Sequence, residues 1–180
     1  MSKHVVFDLE TLGRSPDCMI LQVAAVAFNP EVGGDIHSVT LNQYVNLESQ
    51  TGRRADASTL SWWLRQDEAA RLRLIEGLKE ATPLDFVMSA VGHWFHRHSP
   101  VSKVWARGTD FDLGILRHAL AGEGMKEPWK YNSARDTRTL FECAGGKPEL
   151  KARIGVAHDA LSDCVNEARL IQGALARLKQ

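Results

Sequence analysis

The sequence predicts an α/β protein whose sheet is mixed in strand direction. Three observations lead there: three β-rich runs come first with only turns between them, helical patterns then alternate with one further strand, and Gly, Pro and Asn mark the early junctions. Residues 4–10 open the sheet, with Val5, Val6, Phe7 and Leu9 forming a β-rich run. Residues 20–28 are a second apolar run, and residues 39–47 alternate apolar with polar side chains. Asn29-Pro30 and Gly33-Gly34 punctuate the stretch between them, so the three read as a meander. Residues 59–77 are helical in pattern, with a break near Gln66-Asp67. Thr82-Pro83 opens the next helix, whose Leu84, Val87, Met88, Val91 and Phe95 recur at helical spacing. Residues 101–106 are a short fourth strand. Residues 112–120 are helical, with Leu113, Leu116 and Leu120 on one stripe; 136–143 form a short helix and 157–178 a long closing one. No internal repeat or low-complexity segment interrupts this order.

At 180 residues and 44% hydrophobic, the chain suits one domain spanning 1–180. It leads from Met-Ser-Lys-His into its first strand, and no apolar run is long enough to cross a membrane. A soluble, cytoplasmic protein with no membrane partner is expected. Cys18, Cys143 and Cys164 are odd in number and lack Cys-x-x-Cys spacing, which argues against a disulfide framework and against a structural zinc site. Lys plus Arg equal Asp plus Glu at 22 each, so there is no overall cationic field for coating a long duplex. Nucleic acid would have to bind through a local patch, with bound cations and a few arginines supplying the attraction.

The chemistry is announced by Asp8 and Glu10 within Val-Val-Phe-Asp-Leu-Glu-Thr-Leu-Gly. Side chains two apart on a strand share a face, so the two carboxylates lie side by side. Together they repel and lose hydration unless a divalent cation reverses the balance. On an edge strand the pair would be merely solvated, but apolar residues on both sides favour a central strand. A second acidic pair, Asp110 and Asp112, lies where a strand ends in a glycine turn and a helix begins, a position where acids also suit a helix N-terminus. Near the end stand His158 and Asp163. On one continuous helix they would diverge by about 140°. If Asp159 instead caps the helix, His158 occupies the preceding turn and can lean toward the carboxylate.

Asp8, Glu10, Asp112, His158 and Asp163, in that order, resemble the DEDDh exonucleases of the ribonuclease-H-like superfamily. The resemblance covers nearly the whole chain. Phe111-Asp112 fits the family's Phe-Asp pattern, which favours Asp112 over Asp110. Thr59-Leu60-Ser61-Trp62-Trp63-Leu64 is similar to the phage and bacterial branch that carries a Trp-Trp helix. The resemblance implies a ribonuclease-H-like fold, a five-stranded mixed sheet flanked by helices, with two Mg²⁺ or Mn²⁺ ions over its central strands. It implies that Asp8, Glu10 and Asp163 hold the ion that activates water, and that Asp8 and Asp112 hold the second. Oxygen-only donors suit those hard cations. His158 is then the general base, and a nucleoside 5′-monophosphate leaves from a 3′ end.

The same resemblance places Thr11 and Leu12 beside the terminal nucleotide, Thr11 as a polar contact and Leu12 as an apolar wedge. Trp62 and Trp63 are about 100° apart on a helix, so one is expected in the core and the other at the site. Arg107, Phe111, and Arg135 or Arg138 are candidates for gripping the strand. Arg53, Arg54, Arg65, Arg71 and Arg73 are either guides for it or a solvated face. His93, His96 and His98 have no acidic partner nearby and are assigned to a half-exposed helix end. The expected partner is single-stranded or 3′-overhanging DNA or RNA, and a homodimer is left open. The rivals are an endonuclease and a catalytically silent nucleic-acid-binding or protein-inhibiting module on the same fold.

Overall fold

The computed structural model describes residues 3–31, 33, 36 and 39–180. Met1 and Ser2 of the chain start, and Gly34 of the Gly33-Gly34 junction, lie outside the described residues. Among the described residues five strands form one sheet: β1 (Lys3–Thr11), β2 (Ile20–Phe28), β3 (Thr40–Tyr44), β4 (Val101–Ala106) and β5 (Ala134–Asp136). Their order is β3-β2-β1-β4-β5, so the acid-bearing strand lies at the centre. The β1-β2-β3 meander is antiparallel, and β4 and β5 add in parallel, which is the expected mixed sheet. The third strand is shorter than the 39–47 pattern: its register with β2 ends at Tyr44, and Val45, whose amide still donates to the Leu21 carbonyl, makes a single bridge to Thr82. Ala-Arg-Asp of β5 has too few residues to show a periodicity and becomes a strand only by pairing with β4.

Among the described residues six helices cover the sheet: α1 (Ala57–Leu64), α2 (Glu68–Lys79), α3 (Leu84–Arg97), α4 (Asp112–Gly122), α5 (Thr137–Cys143) and α6 (Ala160–Arg177). The break at Gln66-Asp67 separates α1 from α2. The last helix starts at Ala160 and not at 157, because the Asp159 carboxylate caps it, accepting from the Ser162 amide at 3.1 Å. Leu84, Val87, Met88, Val91 and Phe95 of α3 are all buried. Removing each from water is worth roughly 1.5–3 kcal/mol before chain entropy is counted.

The two-residue period of β1 decides which side of the sheet carries the chemistry. Val5, Phe7 and Leu9 pack in the layer with α3 and α4, whereas Val6 packs in the layer with α5 and α6. Asp8 and Glu10 share the parity of Val6 and face α6. A register irregularity between Glu10 and Thr11 ends the regular β1-β2 ladder there and re-aims the chain.

Candidate active site

Four acidic side chains converge from three elements. β4 pairs with β1 only as far as Val6, which leaves later β1 amides on that side without a strand partner. Asp112, at the start of α4, takes one of them: its Oδ1 accepts from the Leu9 amide at 3.1 Å, and the residue is 3% exposed. Asp110 is exposed and lies away from the cleft wall. Asp163 projects from the first turn of α6 and reaches back, its Oδ2 accepting from the His158 amide at 3.1 Å. That hydrogen bond needs His158 in the left-handed region at φ 61°, a conformation uncommon outside glycine but tolerated by histidine. Around it, Asp159 also accepts from Gln22, Tyr44 and Arg73, tying the turn to β2, β3 and α2. One oxygen each of Glu10 and Asp163 and a ring nitrogen of His158 lie within 4.8 Å of one another.

The electrostatics of this cluster call for positive charge. Burial, then Asp112, Glu10 and Asp163, hold the Asp8 carboxyl well above the usual carboxylate range. Burial, then Asp163 and Asp112, push Glu10 up to about 8. Burial raises Asp112 to about 7 against the opposing Leu9 amide. Asp163 is raised least, because the guanidinium of Arg153 sits on its carboxylate. Such groups fit hard divalent cations: the donors are oxygens, and the charge they lack is what a cation brings.

A stability prediction follows from the sign of these shifts. In the unfolded chain Glu10 and Asp112 release their protons near the ordinary carboxylate value, whereas the folded protein retains them to about 8 and about 7. Stability of the metal-free protein should therefore fall as pH rises across that window, and Mg²⁺ or Mn²⁺ should raise Tm more at its upper end. Thermal melts of the wild type against Glu10→Gln isolate the contribution. Equal pH slopes for the two proteins would contradict it.

The acidic cluster lines one arm of a cleft, about 460 Å³, together with His158, Asn166 and Glu167. A second arm of about 630 Å³ is lined by Thr11, Arg14, Ser58, Thr59, Trp62, Trp63 and Arg65. Leu9, Glu10, Arg107, Phe111 and Arg138 belong to both walls, so the arms are continuous. Trp63 is buried and donates its indole N–H to the Thr11 carbonyl at 2.9 Å. Trp62 is 38% exposed and meets the His158 ring edge-on at 4.9 Å. The adjacent pair thus divides into a core residue and a residue over the site.

Most of the residues singled out from sequence come to this cleft. Leu12 is half-buried and does not line either arm, and the Thr11 hydroxyl is turned to the Gly13 carbonyl at 2.7 Å. Of the arginines, Arg138 lines both arms, while Arg135 is used by the Asn132 and Ala134 carbonyls. Arg53 braces the Cys18 and Pro16 carbonyls, Arg54 pairs with Asp17, Arg71 holds the Leu64 carbonyl and Arg73 holds Asp159. Those four are fold contacts, and of that set only Arg65 reaches the cleft. His93 and His96 are exposed and His98 half-buried at the end of α3, as assigned. Sequence reasoning missed Glu167, Asn166 and Arg153. Glu167 had a signal, since it lies one helical turn beyond Asp163. Arg153 sits in an irregular loop and had none.

Comparison with known proteins identifies the family and the fold. Residues 3–175 match the model of the Rv2179c-like 3′–5′ exoribonuclease domain. The chain belongs to this family. It is therefore an enzyme of the 3′–5′ exonuclease class, with the DEDDh motif order read from its sequence. The exodeoxyribonuclease of Enterobacteria phage T4 is 26% identical over 202 residues, covering 94% of this chain and 88% of the phage protein. The exonuclease also shares its fold with the nuclease domain of 3′hExo, a DEDDh family member bound to rAMP (TM-score 0.64, 16% identity, 97% of this chain and 92% of that one). E. coli exonuclease I in complex with a dA16 oligonucleotide has the fold as well (TM-score 0.71, 15% identity, 99% of this chain). The chain spans only 42% of that structure, and 64% of the cell-death related nuclease CRN-4, with which it superposes at TM-score 0.69 and 19% identity over 98% of its own length. These likenesses establish the ribonuclease-H-like architecture.

Proposed function

We propose that this exonuclease is a single catalytic domain, 1–180, that releases nucleoside 5′-monophosphates from the 3′ end of single-stranded or 3′-overhanging nucleic acid. The observation that carries the reading is the convergence of Asp8, Glu10, Asp112 and Asp163 around one cleft arm with His158 beside them. In this reading the four carboxylates would hold two Mg²⁺ or Mn²⁺ ions, with Asp8 contributing to both. When bound, such ions stabilise the attacking and leaving oxygens of an in-line displacement. His158 takes a proton from the attacking water through a ring nitrogen and serves as base, not ligand. Water adds across the P–O3′ bond, the 3′ oxygen leaves with a proton, and the phosphate stays on the 5′ oxygen of the departing nucleotide. Arg107 and Arg138, on both walls, hold backbone phosphates. Phe111 and the exposed Trp62 give the terminal base an apolar surface, and buried Thr11 backs the wall.

The three cysteines are unpaired, two of them buried, which suits a reducing cytoplasm. No helix among the described residues is long and apolar enough to cross a membrane. Exposed Leu60 and Leu64 on α1 and Leu72 and Ile75 on α2 offer apolar area for a homodimer, which sedimentation velocity would detect.

The test is a 3′-labelled oligonucleotide with Mn²⁺. Mononucleotides are expected; internal fragments would favour an endonuclease, and binding without cleavage a silent module. The family's description names RNA and the phage relative's name DNA, so matched DNA and RNA strands are run together. Blunt duplex should be cut more slowly than an overhang, since unpairing a terminal nucleotide costs a few kcal/mol. Within the site, Asp112→Ala should be nearly inactive and Asp110→Ala only weakened, because Asp112 alone of the two faces the cleft. The reverse ranking would reassign the third acidic position.

A further inference from the structure

Three elements meet on the cleft floor in a contact that the metal cluster does not require. Glu167 of α6 is buried at 8% exposure, and its Oε1 accepts one hydrogen bond and makes one ion pair. The hydrogen bond comes from the Thr137 hydroxyl at the start of α5, at 2.5 Å; the ion pair is with Arg107 Nε, just beyond β4, at 3.5 Å. A carboxylate so buried beside other carboxylates is costly, and Glu167 itself helps to raise Asp8 and Asp112. It therefore needs a structural or functional return. The return is at Arg107: the ion pair through Nε draws the planar guanidinium toward Glu167, and its two Nη groups make no hydrogen bond among the described residues. Arg107 lines both arms, so the free end of that fork lies where a strand passes from one arm to the other. Arg138, its neighbour on both walls, is not held by any such carboxylate pair among the described residues.

We propose that Glu167, steadied by Thr137, is a positioning residue that aims Arg107 at the backbone phosphate crossing between the two arms, one position upstream of the bond being cut. The inference rests on the exonuclease reading of the cleft. A bidentate guanidinium contact gains from a fixed fork, since less side-chain freedom is lost when phosphate binds.

The sign of one substitution separates positioning from plain electrostatics. Glu167→Gln removes a negative charge beside a polyanion, so charge alone predicts tighter binding and a lower KM. Positioning predicts the opposite. KM for a 3′-labelled oligonucleotide should rise roughly tenfold, the size of a lost charge-assisted hydrogen bond. The p-nitrophenyl ester of thymidine 5′-monophosphate has no upstream phosphate, so Glu167→Gln should leave its KM unchanged, whatever the lost charge does to turnover through Asp8 and Asp112. Arg107→Gln should raise the oligonucleotide KM as well, and the double variant should be no worse than Arg107→Gln alone. Thr137→Val, which leaves every charge in place, should move KM in the same direction by less, and guards against a folding defect in Glu167→Gln. Anisotropy titration of the oligonucleotide in EDTA should rank the variants in the same order. A lower KM for Glu167→Gln, additive effects, or a changed Mn²⁺ requirement at unchanged KM would overturn the proposal. Binding that follows the expected order while even the wild type releases no mononucleotide would sink the exonuclease reading and leave the positioning role standing.

Discussion

Asp8→Asn is expected to be inactive and, without metal, more heat-stable than the wild type. Both effects have one origin. Asp8 is the member of the cluster on which the others converge: Asp112, Glu10, Asp163 and Glu167 all raise its carboxyl beyond what burial does. Asparagine keeps the size and the polar oxygen but removes the charge that these neighbours repel, so the metal-free protein loses strain above the ordinary carboxylate range. It also removes the ligand proposed to be shared between the two ions. Charge stabilisation worth several kcal/mol should go with it, and turnover should fall by at least about 10³-fold. Excess EDTA should have the same effect on the wild type, and Mn²⁺ should restore it there but not in the variant. Calorimetry of Mn²⁺ binding, melts in EDTA and the oligonucleotide assay read the three arms. Full wild-type activity in EDTA, or an active Asp8→Asn enzyme, would mean that the chemistry lies elsewhere.

How far the chain could be read in advance depended on whether the signal was local. Asp8 and Glu10 were legible because strand period and flanking apolar residues are both printed in nine consecutive residues, and β1 is indeed the central strand. The Asp159 cap was legible for the same reason, and with it the turn that lets His158 and Asp163 meet despite their spacing. The strand β5 was not, because three residues carry no period and its existence is a property of β4. Sequence alone left the two tryptophans symmetric, and a distant partner separates them: the Thr11 carbonyl captures the Trp63 indole, and Trp62 is left over the site. Four of the arginines could not be read in advance, for the opposite reason. Arg53, Arg54, Arg71 and Arg73 look like a basic track in sequence, but loop carbonyls and isolated carboxylates, whose positions only the fold decides, claim each one. Glu167 shows the intermediate case, placed by helical spacing but given its meaning by Arg107 and Thr137 from elsewhere in the chain.

His158→Ala should lose roughly 10²–10⁴-fold in turnover, the usual range for a positioned general base, while still binding metal and oligonucleotide. The geometry makes this separation of effects possible. The backbone amide of His158, not its ring, holds Asp163, and alanine retains that amide. Asp159 and its partners Gln22, Tyr44 and Arg73 hold the turn from the next residue, so the loss of the ring should not release the helix start. What alanine does lose is the edge contact with Trp62 and some ease at φ 61°, a modest cost in stability. His158→Gly, which accepts that φ freely, is the control: it should be as inactive as alanine and at least as stable. The ring nitrogen also lies within 4.8 Å of Glu10 and Asp163 ligand oxygens, so the rival role is metal ligation. The two roles differ in what added metal can do. A lost base leaves kcat low at saturating Mn²⁺ and changes the acidic limb of the pH–rate profile. A lost ligand instead raises the Mn²⁺ concentration required and recovers when enough is supplied. Near-normal kcat in His158→Ala at saturating Mn²⁺ would remove His158 from proton transfer.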